Sequence, residues 1–290
     1  MLRFRHVKQS DKKDVLRFCT NTFEWGDYIE QVWDEWYSDP NGYFMLAEDN
    51  EAIAAVSHAY VCPNRNSVWL EGIRVNPEFR RRSIGTELIK EMVRYGKEQG
   101  AKEAAAVVSV DNIASQGMME KNGFVLISRW NYYSTNKVDQ KYLTDQVRIA
   151  TLKDAETICS YLKQSQIFRA AAENYADFWR WYHLDLGSDL LQNLINNTKV
   201  IVTGAHHSII NGVTIINKNN NVFQIGYLDA FDASTLKYLV RFAFNLAYSE
   251  ESKRCEKIQM FSPQIPFLQS VMGDLGIDEY GQFLLYKSDN

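Results

Sequence analysis

The sequence predicts a mixed α/β fold built from two tandem copies of one unit. Helix-type and strand-type hydrophobic patterns follow the same order in both halves of the 290-residue chain. An arginine and an aspartate stand six residues apart near the start of each half, as Arg5 and Asp11 and again as Arg148 and Asp154. Each half also closes with a helix, a glycine and a final apolar strand. These three observations indicate an internal repeat.

The first half opens with a strand, two helices and an antiparallel meander. Alternating apolar residues over Leu2–Val7 predict the strand, and Asp11 is a suitable cap for the helix that follows. A second helix is predicted from about Asp27 to Tyr37, because the segment from Asp39 to Gly42 is a strong turn signal. Short polar turns then separate three predicted strands, Tyr43–Glu48, Ala52–Val61 and Val68–Val75.

The first half ends with two helices and two strands. Apolar residues recur at helical spacing up to about Gln99, and Gly100 ends that helix. The continuous apolar run Ala104–Val110 is typical of a strand buried on both faces. A helix over Asn112–Lys121 and a strand over Phe124–Tyr133 complete the unit.

The second half is predicted to repeat this order. After two helices we expect strands near 198–203, 208–216 and 221–228, a helix near 233–250, a strand at 256–261 and a helix at 264–274. A polar linker near 134–146 joins the halves. The predicted domains are therefore 1–134 and 146–290, in agreement with a length that suits two domains.

Composition and charge argue against several classes of protein. The formal net charge of -4 lacks the basic excess of a nucleic-acid binder, and no apolar stretch is long enough to span a bilayer. The first residues carry no apolar signal core, so we expect a cytoplasmic protein. The four cysteines are far apart, which favours neither a zinc ribbon nor a disulfide framework. His206 and His207 are adjacent, and adjacent residues of a strand point to opposite faces, so no metal site is predicted.

The segment Val75–Thr86 carries the strongest chemical signal in the chain. A strand enters a short turn of small and basic residues, and a long amphipathic helix leaves it. The N–H groups of such a turn and of the helix N-terminus can bind a phosphate or pyrophosphate. Gly85 would let a ligand approach the backbone, and three arginines add positive charge. On loop chemistry alone, a solvated basic turn that binds nothing is an equal alternative.

This segment resembles the acetyl-CoA motif of the GNAT superfamily of N-acetyltransferases, Arg/Gln-x-x-Gly-x-Gly/Ala. Arg80, Ser83 and Gly85 occupy its three fixed positions, and Ser83 replaces the usual glycine. Downstream, the segment from Asn112 to Phe124 is similar to the family's Asn-x-x-Ala/Ser…Glu-Lys-x-Gly-Phe motif. Both motifs and the element order resemble one GNAT unit over about 1–133.

The resemblance implies that a central parallel strand pair splays around acetyl-CoA, the acetyl donor. It implies backbone contacts to the pantetheine from the strand and to the pyrophosphate from the turn. The implied cofactor-binding residues are Ile73, Arg74, Val75, Arg80, Arg81, Arg82, Ser83, Ile84, Gly85, Thr86 and Asn112. The family often protonates the leaving thiolate with a tyrosine, and that position corresponds here to Met119, so no general acid is assigned.

Glu71 is the candidate general base. It lies four residues before Val75, in the strand where several GNAT enzymes use a glutamate directly or through water. A carboxylate within hydrogen-bond reach of an amine can accept its proton. The alternative is an ordinary strand glutamate that faces solvent or pairs with Arg74 or Arg5. His58 on the neighbouring strand is a second candidate base.

A narrower resemblance concerns the acceptor. The aromatic segment that begins at Trp25, followed by Trp33, is similar to the GNAT branch that contains histidine N-acetyltransferases. This resemblance implies an acceptor pocket in which Asp27 attracts a cationic amine. The implied substrate-binding residues are Trp25, Asp27, Tyr28 and Trp33. Alternatively, these aromatic residues pack a core at helical spacing.

The second half lacks the features of the turn. Where the first half has Val75–Thr86, it has Tyr227–Thr235, with no arginine and with two aspartates that would repel phosphate. We therefore predict one active and one degenerate GNAT unit, with acetyl-CoA bound by the first half only. The second unit is expected to cover the first or to shape the acceptor cleft.

The sequence as a whole predicts an acetyl-CoA-dependent N-acetyltransferase that acts on a small primary amine or an amino acid. We expect no nucleic-acid or membrane partner and a monomer or homodimer. Two alternatives stay open: acetylation of a protein or peptide N-terminus, and an acyl-CoA-binding sensor without turnover, which Ser83 and Met119 permit.

Overall fold

The structure is a computed structural model that divides into two compact units. It describes residues 2–23, 26–62, 67–135, 146–204, 207, 209–219, 221–248 and 255–289. Unit 1 comprises Met1–Leu126 with Tyr286–Asn290, and unit 2 comprises Ile127–Leu285. The predicted division into 1–134 and 146–290 stays a prediction, since most of its linker lies outside the described residues.

Unit 1 is an antiparallel meander followed by a parallel strand and flanked by helices. Its sheet order is β1-β2-β3-β4-β5, with β5 parallel to β4. The elements are β1 (Leu2–His6), α1 (Lys12–Cys19), α2 (Ile29–Ser38), β2 (Gly42–Asp49), β3 (Ala52–Cys62), β4 (Ser67–Val75), α3 (Ile84–Glu98), β5 (Glu103–Ser109) and α4 (Ile113–Lys121). The predicted mixed α/β architecture is confirmed, and its elements begin and end within two residues of expectation.

The strands β4 and β5 splay apart after a short parallel contact. Over these two fully described strands the pairing runs from Ser67 opposite Glu103 to Trp69 opposite Ala105 and stops there. Two residues of β4, Gly72 and Ile73, then oppose one residue of β3, which is a β-bulge that bends the strand. Gly72 has a left-handed φ of +67°. The carboxyl-terminal half of β4 therefore borders an opening in the sheet, as predicted.

Helix α2 is held against the sheet of unit 1 by aromatic packing. Trp33 and Trp36 contact Phe44 of β2 edge to face, with ring centroids 4.9 and 5.4 Å apart. A Cβ added to Gly72 would lie 2.5 Å from the Trp36 ring, so the bulge also lets this helix approach β4. This packing fixes α2 beside the bulge.

The repeated arginine and aspartate form the same ion pair in both units. Arg5 donates two hydrogen bonds to Asp11, at 2.7 and 3.0 Å, and Arg148 donates two to Asp154, both at 2.7 Å. Each aspartate also accepts the backbone N–H three residues before it, at 2.6 and 2.8 Å. The sequence repeat thus encodes a clamp that closes the turn between strand and helix.

Unit 2 repeats the mixed sheet. Its strand order is β14-β6-β13-β12-β11-β10-β7, and β12 and β13 are parallel from Val222 opposite Lys257 to Ile225 opposite Met260. The elements are β6 (Val125–Thr135, in unit 2 from Ile127), β7 (Val147–Ile149), α5 (Ala155–Gln164), α6 (Gln166–Ala170), β8 (Asn174–Asp177), β9 (Arg180–His183), α7 (Leu190–Asn196), β10 (Val200–Thr203), β11 (Gly212–Lys218), β12 (Val222–Ala230), α8 (Ala233–Ala247), β13 (Lys257–Pro263), α9 (Pro266–Asp274) and β14 (Glu279–Asp289, in unit 2 up to Leu285). No helix among the described residues is both long and apolar enough to cross a membrane.

The predicted element order of the second half is wrong in one place. Between its second helix and its strands the structure has the β8–β9 hairpin and the additional helix α7. Each hairpin strand has only four residues, which is too short for an alternating pattern to stand out in the sequence. The strand expected near 208–216 begins only at Gly212.

The β8–β9 hairpin packs directly on the backbone of β12. The side chain of Gln224 accepts the Phe178 N–H at 2.6 Å and donates to the Phe178 carbonyl oxygen at 2.9 Å. A Cβ added to Gly226 would overlap the carbonyl oxygen of Ala176. Only glycine fits here, because the obstacle is backbone and cannot rotate away.

Replacing Gly226 with alanine is expected to lower the free energy of unfolding by about 3 kcal/mol, at the upper end of overpacking costs. Urea unfolding followed by tryptophan fluorescence measures the change. Gly281→Ala is the matched control, because its added Cβ would meet only the Phe283 ring, at 3.5 Å. Equal stability of the two variants would contradict a tightly packed hairpin.

Candidate cofactor and acceptor site

The turn between β4 and α3 presents backbone N–H groups in an anion-binding arrangement. Arg81 and Ser83 both adopt left-handed backbone conformations, with φ of 64° and 59°. The helix then begins at Ile84, and the first N–H to bond back is that of Glu87, to the Ser83 carbonyl oxygen at 3.1 Å. The N–H groups at 84–86 therefore have no acceptor within the helix. They lie at the positive end of a 15-residue helix dipole.

The three arginines of the turn are exposed and lie beside these N–H groups. Arg80 and Arg81 reach solvent. Arg82 lies over the Phe79 ring, with its guanidinium carbon 5.2 Å from the ring centroid, and makes a loose ion pair with Asp49 at 3.4 Å. An exposed pair of this kind is weak, so Arg82 can exchange it for another anion.

Gly85 makes a different close contact from the predicted one. A Cβ added to it would lie 2.6 Å from the sulfur of Met118 on α4 and 3.8 Å from Val75. The missing side chain thus makes room for Met118, whereas the sequence predicts a ligand in this space. Of the two roles predicted for Gly85 in ligand binding, the one that stays a prediction is the contact made by its backbone N–H group.

Asn112 and Met119 both lie in the segment of the second motif. The Asn112 side chain caps α4 by accepting the Ser115 N–H at 3.1 Å. Met119 is buried, with 3% of its surface exposed, and a thioether has no proton to donate. Neither side chain offers a general acid.

Glu71 meets His58 across the β3–β4 pairing. The two residues are direct partners in the register, and His58 Nδ1 lies 2.8 Å from Glu71 Oε1. The Glu71 side chain is 14% exposed, whereas His58 is completely buried. His58 therefore cannot touch an acceptor, and its suggested role as a base in direct contact with substrate is wrong.

The arginine partners considered for Glu71 are engaged elsewhere. Arg5 pairs with Asp11 and also with Glu48, at 2.6 Å. Arg74 pairs with Asp27 on the side toward α2. Glu71 itself contacts the His58 imidazole, whereas the described ion pairs of Arg5 and Arg74 are with these other carboxylates.

Asp27 is bound to Arg74 in a nearly buried ion pair. Arg74 Nε and Nη2 donate to the two carboxylate oxygens at 2.6 and 3.2 Å. The guanidinium also lies between the rings of Phe23 and Tyr28, 5.0 Å from each centroid. Because Arg74 already neutralises Asp27, the carboxylate is not placed to attract a cationic acceptor as predicted.

The other predicted acceptor residues are placed differently from one another. Trp33 is completely buried, packs on Phe44 and donates its indole N–H to Gln9 at 3.1 Å, so it belongs to the core. Tyr28 is partly exposed, and burial raises the pKa of its hydroxyl. Trp25 lies outside the described residues. Burial also raises the pKa of the nearby Cys19 thiol to about 12, which leaves it unreactive.

Replacing Asp27 with asparagine is expected to lower the free energy of unfolding by about 3 kcal/mol, because the Arg74 charge is left almost buried without a carboxylate. Chemical unfolding monitored by circular dichroism tests this. Asp34→Asn is the control, since Asp34 is 80% exposed in its contact with Lys12 and should cost less than about 1 kcal/mol. If Asp27→Asn lowered the free energy of unfolding no more than the control, the ion pair between Asp27 and Arg74 would not be important for stability.

The corresponding turn of unit 2 is occupied by the protein's own carboxylates. Asp232 caps α8 by accepting the Thr235 N–H at 2.8 Å. Asp229 is buried and accepts hydroxyl hydrogen bonds from Tyr161, Tyr227 and Ser165 at 2.8, 2.6 and 2.5 Å. Burial raises the pKa of the Asp229 carboxyl. This turn is therefore poorly suited to bind an anion.

The acetyltransferase (GNAT) family model matches residues 13–124, which contain every candidate site residue. The aminoglycoside N(6')-acetyltransferase type 1 of Salmonella typhimurium is 35% identical over 96 residues, which are 31% of this chain and 66% of that protein. The protein of the same name from Acinetobacter haemolyticus is 31% identical over 105 residues, which are 36% of this chain and 68% of that protein. The chain thus spans about two thirds of the length of these relatives.

Two solved structures share the fold along the whole chain. A GCN5-related N-acetyltransferase from Sphaerobacter thermophilus has a TM-score of 0.64 at 12% identity and covers 99% of this chain and 95% of that one. A tandem GNAT protein from the clavulanic acid biosynthesis pathway has a TM-score of 0.52 at 10% identity, with coverage of 100% and 98%. At such identities the likeness shows the fold alone.

Proposed function

The chain belongs to the acetyltransferase (GNAT) family, and on that premise we propose that it transfers an acetyl group from acetyl-CoA to a primary amine of a small molecule. The observation that carries this proposal is the anion-binding turn at 81–86, which lies at the end of β4 where that strand diverges from β5. Glu71 on the same strand supports the chemistry, since it brings a partly exposed carboxylate to the strand that the family uses for the acetyl group.

Acetyl-CoA would supply an activated thioester. The N–H groups at 84–86 and the exposed arginines would bind its pyrophosphate, and the β4 backbone at 73–75 would bind the pantetheine. In unit 2, Asp229 and Asp232 disfavour an anion at the matching turn. We therefore propose one acetyl-CoA site per chain, in the domain predicted at 1–134, with a degenerate second domain.

In the proposed reaction the acceptor arrives as an ammonium ion and gives one proton to the Glu71 carboxylate. The neutral nitrogen attacks the thioester carbonyl carbon, and backbone N–H groups of β4 stabilise the oxyanion. The C–S bond then breaks and the thiolate leaves, while the second proton that the attacking nitrogen must lose passes to water. Because free thiols have a pKa of about 8.5, water can protonate this thiolate without a side-chain acid, consistent with Met119 at the usual tyrosine position.

The class of acceptor is proposed from the relatives and from charge. The two relatives described above are named for aminoglycosides, which are small molecules with several amino groups. Asp27 is neutralised by Arg74, so Glu71 is the carboxylate of the candidate site that would meet the amine. Glu71 suits any cationic amine, and the names of the two relatives support a small molecule over a peptide N-terminus.

The proposal is tested by thiol release from acetyl-CoA on addition of an aminoglycoside, a free amino acid and a peptide with an unblocked N-terminus. Amine-dependent thiol release with a small molecule supports it. Release with the peptide alone would favour an N-terminal acetyltransferase. Tight acetyl-CoA binding without release for any amine would favour the sensor alternative.

A further inference from the structure

The buried imidazole of His58 contacts the carboxylate of the proposed base, Glu71. His58 Nδ1 contacts Glu71 Oε1 at 2.8 Å, and the side chain of His58 has no exposed surface. Its other ring nitrogen, Nε2, faces Asp39 Oδ2 at 3.8 Å, too far for a hydrogen bond, and has no hydrogen-bond partner among the described residues. A buried, half-satisfied polar ring is costly and points to a role other than packing.

The ring of His58 is held in one orientation. It stacks on Trp36 with centroids 4.6 Å apart and an interplanar angle of 7°, and Phe44 meets it edge to face at 6.0 Å. On the Nε2 side lies Gly42, where an added Cβ would overlap Nε2. These three neighbours leave the ring no room to turn, so the direction of Nδ1 is fixed.

We propose that His58 is a positioning residue that orients the Glu71 carboxylate toward the acceptor amine. This inference rests on the proposed function, in which Glu71 is the base. With its proton on Nδ1, the ring donates to Glu71 Oε1 and restrains a side chain that otherwise has three rotatable bonds. The direction of the carboxylate is then set by the rigid stack of Trp36 and His58. A base that is displaced by about 1 Å can lose on the order of 10²-fold in rate.

Two substitutions of His58 separate positioning from packing. Asparagine places its amide near the position of Nδ1 and can still donate to Glu71, whereas glutamine places its amide near the position of Nε2. We expect kcat to stay within about tenfold of the parent in His58→Asn and to fall about 100-fold in His58→Gln, with unchanged acetyl-CoA affinity in both. Equal kcat in the two variants would overturn the proposal.

Gly42→Ala disturbs the same contact without removing a functional group. Its methyl group would push the ring away from its place, so we expect kcat to fall about tenfold in the parent background. Asparagine at position 58 has no atom at the Nε2 position, so Gly42→Ala should lower kcat little in the His58→Asn background. The added methyl group also lies 3.0 Å from Asp39 Cβ, but this contact is the same in the parent and in the His58→Asn background. The same loss in both backgrounds would overturn the proposal.

Thiol release by the parent and by Glu71→Gln distinguishes failure of this inference from failure of the proposed function. If the parent releases no thiol with any amine, the proposed function fails. If the parent is active and Glu71→Gln has the parental kcat, Glu71 is not the base, and the positioning role of His58 fails while acetyl transfer stands. If Glu71→Gln loses activity while the two His58 variants have equal kcat, Glu71 is still the base and only the positioning role of His58 is wrong. Circular dichroism and acetyl-CoA binding of each variant establish that it is folded. If either His58 variant is not folded, Gly42→Ala in the parent background decides the question, and an unchanged kcat in that variant overturns the proposal.

Discussion

Replacing Glu71 with glutamine is expected to lower kcat by about 10²–10⁴-fold, the usual effect of losing a general base. Glutamine keeps the shape of the side chain and can still accept a hydrogen bond from His58 Nδ1, so the surrounding packing should survive. Acetyl-CoA affinity should not change, because the proposed cofactor contacts come from the backbone at 73–75 and from the turn. Steady-state kinetics with an accepted amine measure the effect.

The matched control is Glu48→Gln. Glu48 is also a strand carboxylate with little exposure, 15% against 14% for Glu71, but it pairs with Arg5 and lies outside the candidate site. This control should lose stability and keep its kcat. If Glu71→Gln behaved like Glu48→Gln, Glu71 would be a structural residue and ordered water would have to accept the proton.

The pH dependence of the Glu71→Gln variant provides a second measurement. Without a protein base, the enzyme depends on acceptor that is already deprotonated in solution, and that fraction rises tenfold per pH unit below the amine pKa. The rate of the variant should therefore partly recover at high pH relative to the parent. A constant ratio of the two rates across pH would contradict proton acceptance by Glu71.

The parts of the fold that the sequence predicted well are those with strong local signals. The turn after Val75 and the helix from Ile84 combine a strand, small residues and a long amphipathic stripe, and all these features are contiguous in the sequence. The clamp of Arg5 on Asp11 likewise spans only six residues, which is why its repetition in the second half was visible.

The parts that were missed depend on contacts between distant residues. Arg74 and Asp27 are 47 residues apart, and only the folded position of β4 shows that they neutralise each other. The partner of Glu71 depends on the β3–β4 register, which the bulge at Gly72 shifts. The aromatic residues before and in α2 gave no indication of which ring faces the core, and the structure buries Trp33.

A negative charge in the turn is expected to prevent acetyl-CoA binding. Ser83 has a left-handed backbone, with φ of 59°, and asparagine and aspartate tolerate this conformation best among residues other than glycine. Ser83→Asp would put a carboxylate beside the N–H groups at 84–86, where we propose the pyrophosphate binds. We expect the affinity for acetyl-CoA to fall about 10–100-fold, or about 1.4–2.8 kcal/mol, as measured by isothermal titration calorimetry.

Ser83→Asn is the neutral control of nearly the same shape, and it should bind acetyl-CoA within about threefold of the parent, with one site per chain. The two variants also separate binding from folding. A carboxylate at a helix N-terminus stabilises the helix by about 0.3–1 kcal/mol, so Ser83→Asp without ligand should be at least as stable as Ser83→Asn. If Ser83→Asp is at least as stable as Ser83→Asn but binds acetyl-CoA more weakly, the loss of affinity comes from the anion site and not from unfolding. Equal affinity of the two variants would place the pyrophosphate elsewhere, and a stoichiometry of two would give unit 2 a cofactor site of its own.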